Sequence, residues 1–233
     1  MTTTYTKKEV ISKVEEYLWP GKINELYSEG FVNYRGITSD TKEKYTEVIA
    51  SHLLEQLERL KQIDPVERTD SYKVSRKGTT PREADGRKWE QEEQRIAMKL
   101  FNNKTLQLFS KILHYQTPLG DGRGAAIDLL ARDTDSVYIL ELKGPKSKET
   151  LLRCVLEIYT YYLMLDHEKL LRDFKIKNNP ALRKGVLIFK NSRAYTDFTD
   201  HKIRLLMREL EIDFFVLNED ANQILETHYF NEI

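Results

Sequence analysis

The stretch IDLLARDTDSVYILELK, residues 127–143, consists of two apolar runs separated by a short polar turn. Both runs are rich in branched and aromatic residues, as strands are, and each carries charges that a plain core would not hold. Side chains alternate across a strand, so Val137, Ile139, Glu141 and Lys143 share one face while Leu142 belongs to the other. Two-residue loops are the commonest hairpin connections, and Thr134 and Asp135 lie midway between the runs. With those two as the loop, Asp133 faces Ser136, Arg132 faces Val137, and Asp128 falls directly opposite Glu141. Thr-Asp is not a favoured primed-turn pair, and a loop displaced by one residue would slide the pairing by two while leaving both acids on one face.

Carboxylates opposed on paired strands have β-carbons roughly 5 Å apart and repel each other. A hard divalent cation offsets that repulsion, since Mg²⁺ takes one or two carboxylates and completes its shell with water and phosphate oxygens. The flanking segments add further candidates. A helix predicted over 88–101 places Trp89, Glu93, Ile96, Ala97, Leu100 and Phe101 along one side, with Glu90 close to that side and Glu92 rotated away. A glutamate on a core-facing stripe is costly unless it pairs or binds a metal, which singles out Glu93. After Gly144-Pro145, Ser147 is the predicted N-cap of a helix running to about residue 166, with Leu152, Leu156, Tyr159 and Leu163 inward. Arg153, Glu157 and Tyr161 form a second stripe on it at i, i+4, i+8.

An acid on one strand, then an acid, any residue and a lysine on the next, resembles the signature of the PD-(D/E)XK nuclease superfamily. Asp128, Glu141 and Lys143 match that pattern. The sequence order of helix, hairpin, long helix and further apolar runs is also similar to the family's α-β-β-β-α-β core, from near Trp89 to the C-terminus. The resemblance implies an α/β fold with a central mixed sheet flanked by helices, restriction-endonuclease-like, carrying an N-terminal helical extension. It implies hydrolysis of phosphodiester bonds, in DNA, with Mg²⁺ or Mn²⁺ held by Asp128, Glu141 and the Leu142 carbonyl. Lys143 would orient or activate the attacking water, and Glu93, with Glu90 in reserve, would be the acid that many members add from the preceding helix. Some exonuclease-like subfamilies carry a Q-x-x-x-Y pair on the following helix. Glu157 and Tyr161 look like that pair with glutamate replacing glutamine, which implies a substrate or site-tuning role. The departure matters because an ionised glutamate only accepts hydrogen bonds, and Arg153, one turn away, is an alternative partner for it.

The bulk properties fit this class and constrain it. A chain of 233 residues, 40% of them hydrophobic, can bury a substantial core as one globular domain with an N-terminal attachment. The expected division is a helical region and linker at 1–86 and a nuclease-like domain at 87–233. No apolar stretch approaches the ~20 residues of a membrane helix, and the start MTTTYTKKEV lacks a signal-peptide centre, so a cytoplasmic protein is expected. The single cysteine, Cys154, allows no internal disulfide and reads as a buried thiol. Lys plus Arg and Asp plus Glu number 37 each, which argues against nonspecific electrostatic coating of nucleic acid and leaves room for a homodimer or a protein partner. Local basic clusters remain: Lys73, Arg76, Lys77, Arg82, Arg87 and Lys88, then Lys143, Lys146 and Lys148.

Upstream, helices are expected over 6–18, 23–27 and 41–63, followed by a linker over 66–86 with a short strand at 72–74. These helices read as a layer covering the sheet rather than a separate binding unit. A strand over 106–117 would bring His114 and Gln116 toward the acids, each as a satisfied polar residue, and the glycine-rich turn 120–124 would lead into the Asp128 strand. Apolar runs at 185–189 and 214–217, with a helix near 203–210 between them, suggest a crossover within a mixed sheet. The rival reading of the whole is a catalytically silent nucleic-acid-binding or scaffold protein of the same fold.

Overall fold

The computed structural model describes residues 4–75, 92–121 and 124–233. A six-stranded mixed sheet runs through its centre, with strands side by side in chain order: β1 (Lys111–Pro118), β2 (Ala126–Arg132), β3 (Ser136–Leu142), β4 (Ala181–Phe189), β5 (Ile212–Leu217) and β6 (Ile224–His228). The pairs β1–β2, β2–β3 and β5–β6 are antiparallel, while β3–β4 and β4–β5 are parallel. The expected α/β fold with a central mixed sheet flanked by helices is therefore observed.

Alternation across the central strands sorts the core into two layers. Val137, Ile139, Val186, Ile188, Phe214 and Val216 belong to one buried cluster, and Tyr138, Leu140, Leu142, Leu187, Phe189, Phe215 and Leu217 to the other. Helix α1 spans Lys7–Glu15, α2 Tyr45–Glu55, α3 Leu57–Leu60 and α4 Glu92–Asn103. Two crossovers follow, one through α5 (Leu151–Met164) and α6 (His167–Asp173), the other through α7 (Arg193–Asp197) and α8 (His201–Glu209). The first cluster is covered by α5, α8 and the N-terminal helices, while α4 packs on the second with β1 and β2. Residues of α1 and α2 and of the 3₁₀ turn Ile23–Ser28 share the first cluster, with α2 against α8 and the 3₁₀ turn against α5.

The hairpin register is the one expected from a Thr134-Asp135 loop: Arg132 pairs with Val137 and Leu129 with Leu140. Neither loop residue takes a positive φ. Asp133 supplies what a primed turn would have supplied, because its Oδ1 accepts from the Asp135 and Ser136 amides at 2.8 and 2.7 Å while the Tyr138 hydroxyl donates to Oδ2 at 3.0 Å. A local side-chain turn of this kind replaces the usual glycine requirement.

Several boundaries differ from the sequence reading. The helix over 41–63 is two helices broken at Gln56, and it starts late because Lys42 is left-handed and Lys44 bridges to Ile37. No strand forms at 72–74; Tyr72 is instead buried, with its amide on Asp173. The strand expected from 106 begins at Lys111, after a tight turn between Leu106 and Phe109. The cap of α5 is Thr150, not Ser147, and the helix ends at Met164. Thr150 wins because tertiary partners hold it: its amide donates to Asn33 Oδ1 at 2.7 Å and its hydroxyl to the Val32 carbonyl at 3.2 Å. The predicted start of α4, Trp89 and Glu90, and the basic positions Arg76, Lys77, Arg82, Arg87 and Lys88 lie outside the described residues, as does the expected boundary at 86. Among the described residues no helix is long and apolar enough to cross a membrane.

Candidate active site

Asp128, Glu141 and Lys143 come together where the β2–β3 hairpin leaves its turnless end. They line a cavity of about 190 Å³ with Glu93, Gln94, Gln116, Ala126 and Glu157. Lys143 lies just beyond β3, yet its amide donates to the Leu187 carbonyl at 3.1 Å, which prolongs the pairing with β4 and keeps its side chain on the face of Glu141. The Leu142 side chain points into the opposite layer, while its amide donates to Asp128 Oδ2 at 2.9 Å. Asp128 Oδ1 accepts from Gln116 Nε2 at 2.6 Å.

The ammonium of Lys143 is gripped by three carboxylates. It stands 2.6 Å from Glu141 Oε1, 2.8 Å from Glu149 Oε2 and 3.2 Å from Glu157 Oε2. Glu157 comes from α5, and the Tyr161 hydroxyl one turn on lies 3.0 Å from its Oε1. Glu157 therefore pairs with Lys143 and Tyr161, while Arg153, its expected alternative partner, lies 3.3 Å from Glu149. Glu93, in the first turn of α4, accepts from the Gly144 amide at 3.2 Å. Gly144 permits that approach, since a β-carbon there would stand 3.2 Å from Glu92 Oε2 and 3.6 Å from Glu93 Cγ.

All the sequence-derived candidates among the described residues thus gather in one place. Two further residues join them. Gln116 was expected to face the acids and does so with φ +48°, a strained left-handed conformation for a residue with a side chain. Glu149 was not foreseen; it follows a proline-led loop with no periodicity to mark it. His114 is satisfied elsewhere, with Nδ1 2.9 Å from Thr117 Oγ1 and Nε2 3.0 Å from the Val74 carbonyl. The glycine-rich turn is tied down at Asp121, which accepts from the Thr69 amide and hydroxyl and the Asp70 amide at 2.9, 2.6 and 3.1 Å; Gly122 and Arg123 lie outside the described residues. Cys154 is buried as expected, with its thiol on the Thr150 carbonyl.

The electrostatics follow from this crowding. Burial pushes the Asp128 carboxyl up to about 7, against the opposing pull of Lys143 and the Leu142 amide, with Glu157 and Glu93 adding to the rise. Burial, then Asp128 and Glu157, push Glu141 well above the ordinary carboxylate range. For Lys143, burial acts to lower the pKa, but Glu141 and Glu157 outweigh it and the ammonium is held above its usual value. Burial and then Glu157 raise the Tyr161 phenol, which keeps its proton and acts as a donor.

A stability signature follows. A carboxyl whose folded pKa is raised stabilises the fold fully below its unfolded pKa, about 4, and that contribution is lost as pH rises through the folded value. With chelator present, the contribution of this centre to the melting temperature is expected to fall between about pH 4 and about pH 7. Asp128→Asn is expected to flatten that fall, read as the difference between variant and wild-type melting curves across pH; an unchanged slope would mean that Asp128 titrates normally.

Comparison of the chain with protein-family models, with curated protein sequences and with solved structures found no match to any of them.

Proposed function

We propose that this protein is a metal-dependent nuclease that hydrolyses phosphodiester bonds in DNA, with Asp128, Glu141 and Lys143 at its centre. The observation that carries the reading is the charge imbalance of the cavity: among the described residues lining it are four carboxylates, Glu93, Asp128, Glu141 and Glu157, and one cation, Lys143. Burying several ionised carboxylates around one ammonium is unfavourable, and the charge must be met either by protons, as the raised Asp128 and Glu141 carboxyls show for the metal-free site, or by a cation that displaces them. The element order α4-β1-β2-β3-α5-α6-β4, which differs from the family's α-β-β-β-α-β core by the short α6, also supports the resemblance to the PD-(D/E)XK superfamily.

The donor set fits Mg²⁺ or Mn²⁺. Hard oxygen ligands are present, and sulfur or imidazole ligands are not among the described residues lining the cavity. No three acidic, imidazole or thiol groups among the described residues already converge on a common point, because Asp128 Oδ1 faces Gln116 and Glu141 Oε1 faces Lys143. Two carboxylates suffice for Mg²⁺, and Asp128 and Glu141, with the Leu142 carbonyl, would be the groups that hold it. The chemistry supplied by a bound metal would be a water of lowered pKa and neutralisation of charge on the phosphate.

The chain's own residues would do the remaining work. Asp128, held by the Leu142 amide and Gln116, and Glu141 would present the ligand oxygens at one end of the hairpin. Lys143, one turn of the pleat beyond Glu141, is positioned to donate to the attacking water or to the phosphate oxygen as charge develops. Glu149 and Glu157 keep that ammonium protonated and aimed. A basic protein partner, which the neutral net charge favours, would add cationic surface for a polyanion.

Titration calorimetry with Mn²⁺ tests the metal half of this reading. Wild type is expected to bind and Asp128→Asn to lose at least about tenfold in affinity. Equal weak binding by both would favour the second reading, a catalytically silent nucleic-acid-binding or scaffold protein, in which the acids persist as the ion-pair network around Lys143.

A further inference from the structure

The N-terminal helices lie outside the segment that resembles a nuclease, yet one of their side chains reaches the centre. Tyr27, in the 3₁₀ turn Ile23–Ser28, has its hydroxyl 3.4 Å from that of Tyr161, with the two rings edge to face at 5.4 Å. Tyr161 is 3.0 Å from Glu157 Oε1, and Glu157 Oε2 is 3.2 Å from Lys143 Nζ. A phenol has one proton. The Tyr161 hydroxyl has both the Glu157 carboxylate and the Tyr27 oxygen within reach as acceptors, so its proton is held between α5 and the N-terminal layer. The polar chain Tyr27, Tyr161, Glu157, Lys143 crosses from the N-terminal layer, through α5, to the sheet.

The same layer holds the other side of the ammonium. Asn33 and Val32 secure Thr150, the cap of α5, and Arg35 donates to the Lys148 carbonyl. Residues 32–35 thereby fix both flanks of Glu149, the third carboxylate on Lys143. Loops are otherwise the mobile part of a site, and a buried polar chain orients its members only when every one has its partner.

We infer that Tyr27 is a positioning residue of the candidate centre, acting through Tyr161 and Glu157 to hold the Lys143 ammonium beside Glu141. The N-terminal layer is on this account part of the catalytic apparatus, and the inference rests on the nuclease reading only for its effect on rate. Tyr27→Phe keeps the ring contact and removes the hydroxyl, so it tests the chain without emptying the packing.

The decisive readout is the ¹⁵N-ammonium resonance of Lys143 in metal-free protein, assigned by its loss in Lys143→Met. In wild type its protons are expected to exchange far more slowly than those of surface lysines. Tyr27→Phe and Tyr161→Phe are each expected to speed that exchange, and the double variant to match Tyr161→Phe alone, since Tyr27 acts only through Tyr161. Melting temperature is expected to move by less than about 4 °C in Tyr27→Phe. Cleavage should show kcat lowered about tenfold with KM unchanged. An exchange rate untouched by Tyr27→Phe, additive effects in the double variant, or a wild-type ammonium exchanging like a surface lysine would each overturn the inference. Because the resonance is read without metal or DNA, a protein that cleaves nothing would defeat the nuclease reading while leaving this test intact.

Discussion

Glu141→Gln is expected to lower metal-dependent DNA cleavage by about 10³-fold or more, equivalent to ~4 kcal/mol of transition-state stabilisation. Glu141 is nearly inaccessible at 2% exposure, sits on the central strand β3 and directs one oxygen at Lys143. Glutamine preserves its shape but removes the charge that a cation requires, and its amide nitrogen can turn a donor toward the metal position. The fold itself should tolerate the change. Burial and the neighbouring Asp128 and Glu157 already disfavour the ionised form, and Lys143 keeps Glu149 and Glu157 as counter-charges. A melting temperature held or raised together with lost cleavage is the expected pair of results. A variant that cleaves at the wild-type rate would remove Glu141 from the site.

Lys143→Met separates catalysis from metal binding. Cleavage is expected to fall about 10²-fold, the usual range for a positioned proton donor. Metal affinity is expected to stay level or tighten, because the ammonium 2.6 Å from Glu141 Oε1 competes with any cation for that oxygen. Stability should respond differently. Lys143 is the single cation lining the cavity among the described residues, and removing it leaves buried carboxylates facing one another. Metal-free Lys143→Met should therefore melt lower than wild type, more so at pH 8 than at pH 5, and added Mn²⁺ should raise its melting temperature more than it raises that of wild type. A loss of metal affinity in this variant would contradict the role assigned to the lysine.

How much of this was legible in the chain differs from element to element, for physical reasons. The β2–β3 hairpin was readable because a period of two and a short polar turn leave few registers, and pairing Arg132 with Val137 carries Asp128 to the level of Glu141. Glu93 was readable because helical spacing puts it on the face that a sheet must meet, and Glu157 because, with Tyr161 four residues on, it resembles a Q-x-x-x-Y pair. Glu149 was not, since it belongs to a loop whose path is set by contacts with Asn33, Val32 and Arg35, more than a hundred residues away in sequence. The same contacts moved the cap of α5 from Ser147 to Thr150. β6 and α6 were missed for want of signal: Ile224–His228 is short and half polar at an edge, and His167–Asp173 is two turns long. The link between Tyr27 and the centre joins two segments that no local pattern connects.

The measurement that bears most directly on the central claim is incubation of the purified protein with labelled single-stranded, duplex and branched DNA in Mg²⁺, Mn²⁺ or EDTA, beside Glu141→Gln. The account predicts cleavage of at least one substrate with metal, none in EDTA, and none by the variant. Intact DNA under every condition with Mg²⁺ or Mn²⁺, or cleavage that survives EDTA and Glu141→Gln, would contradict it.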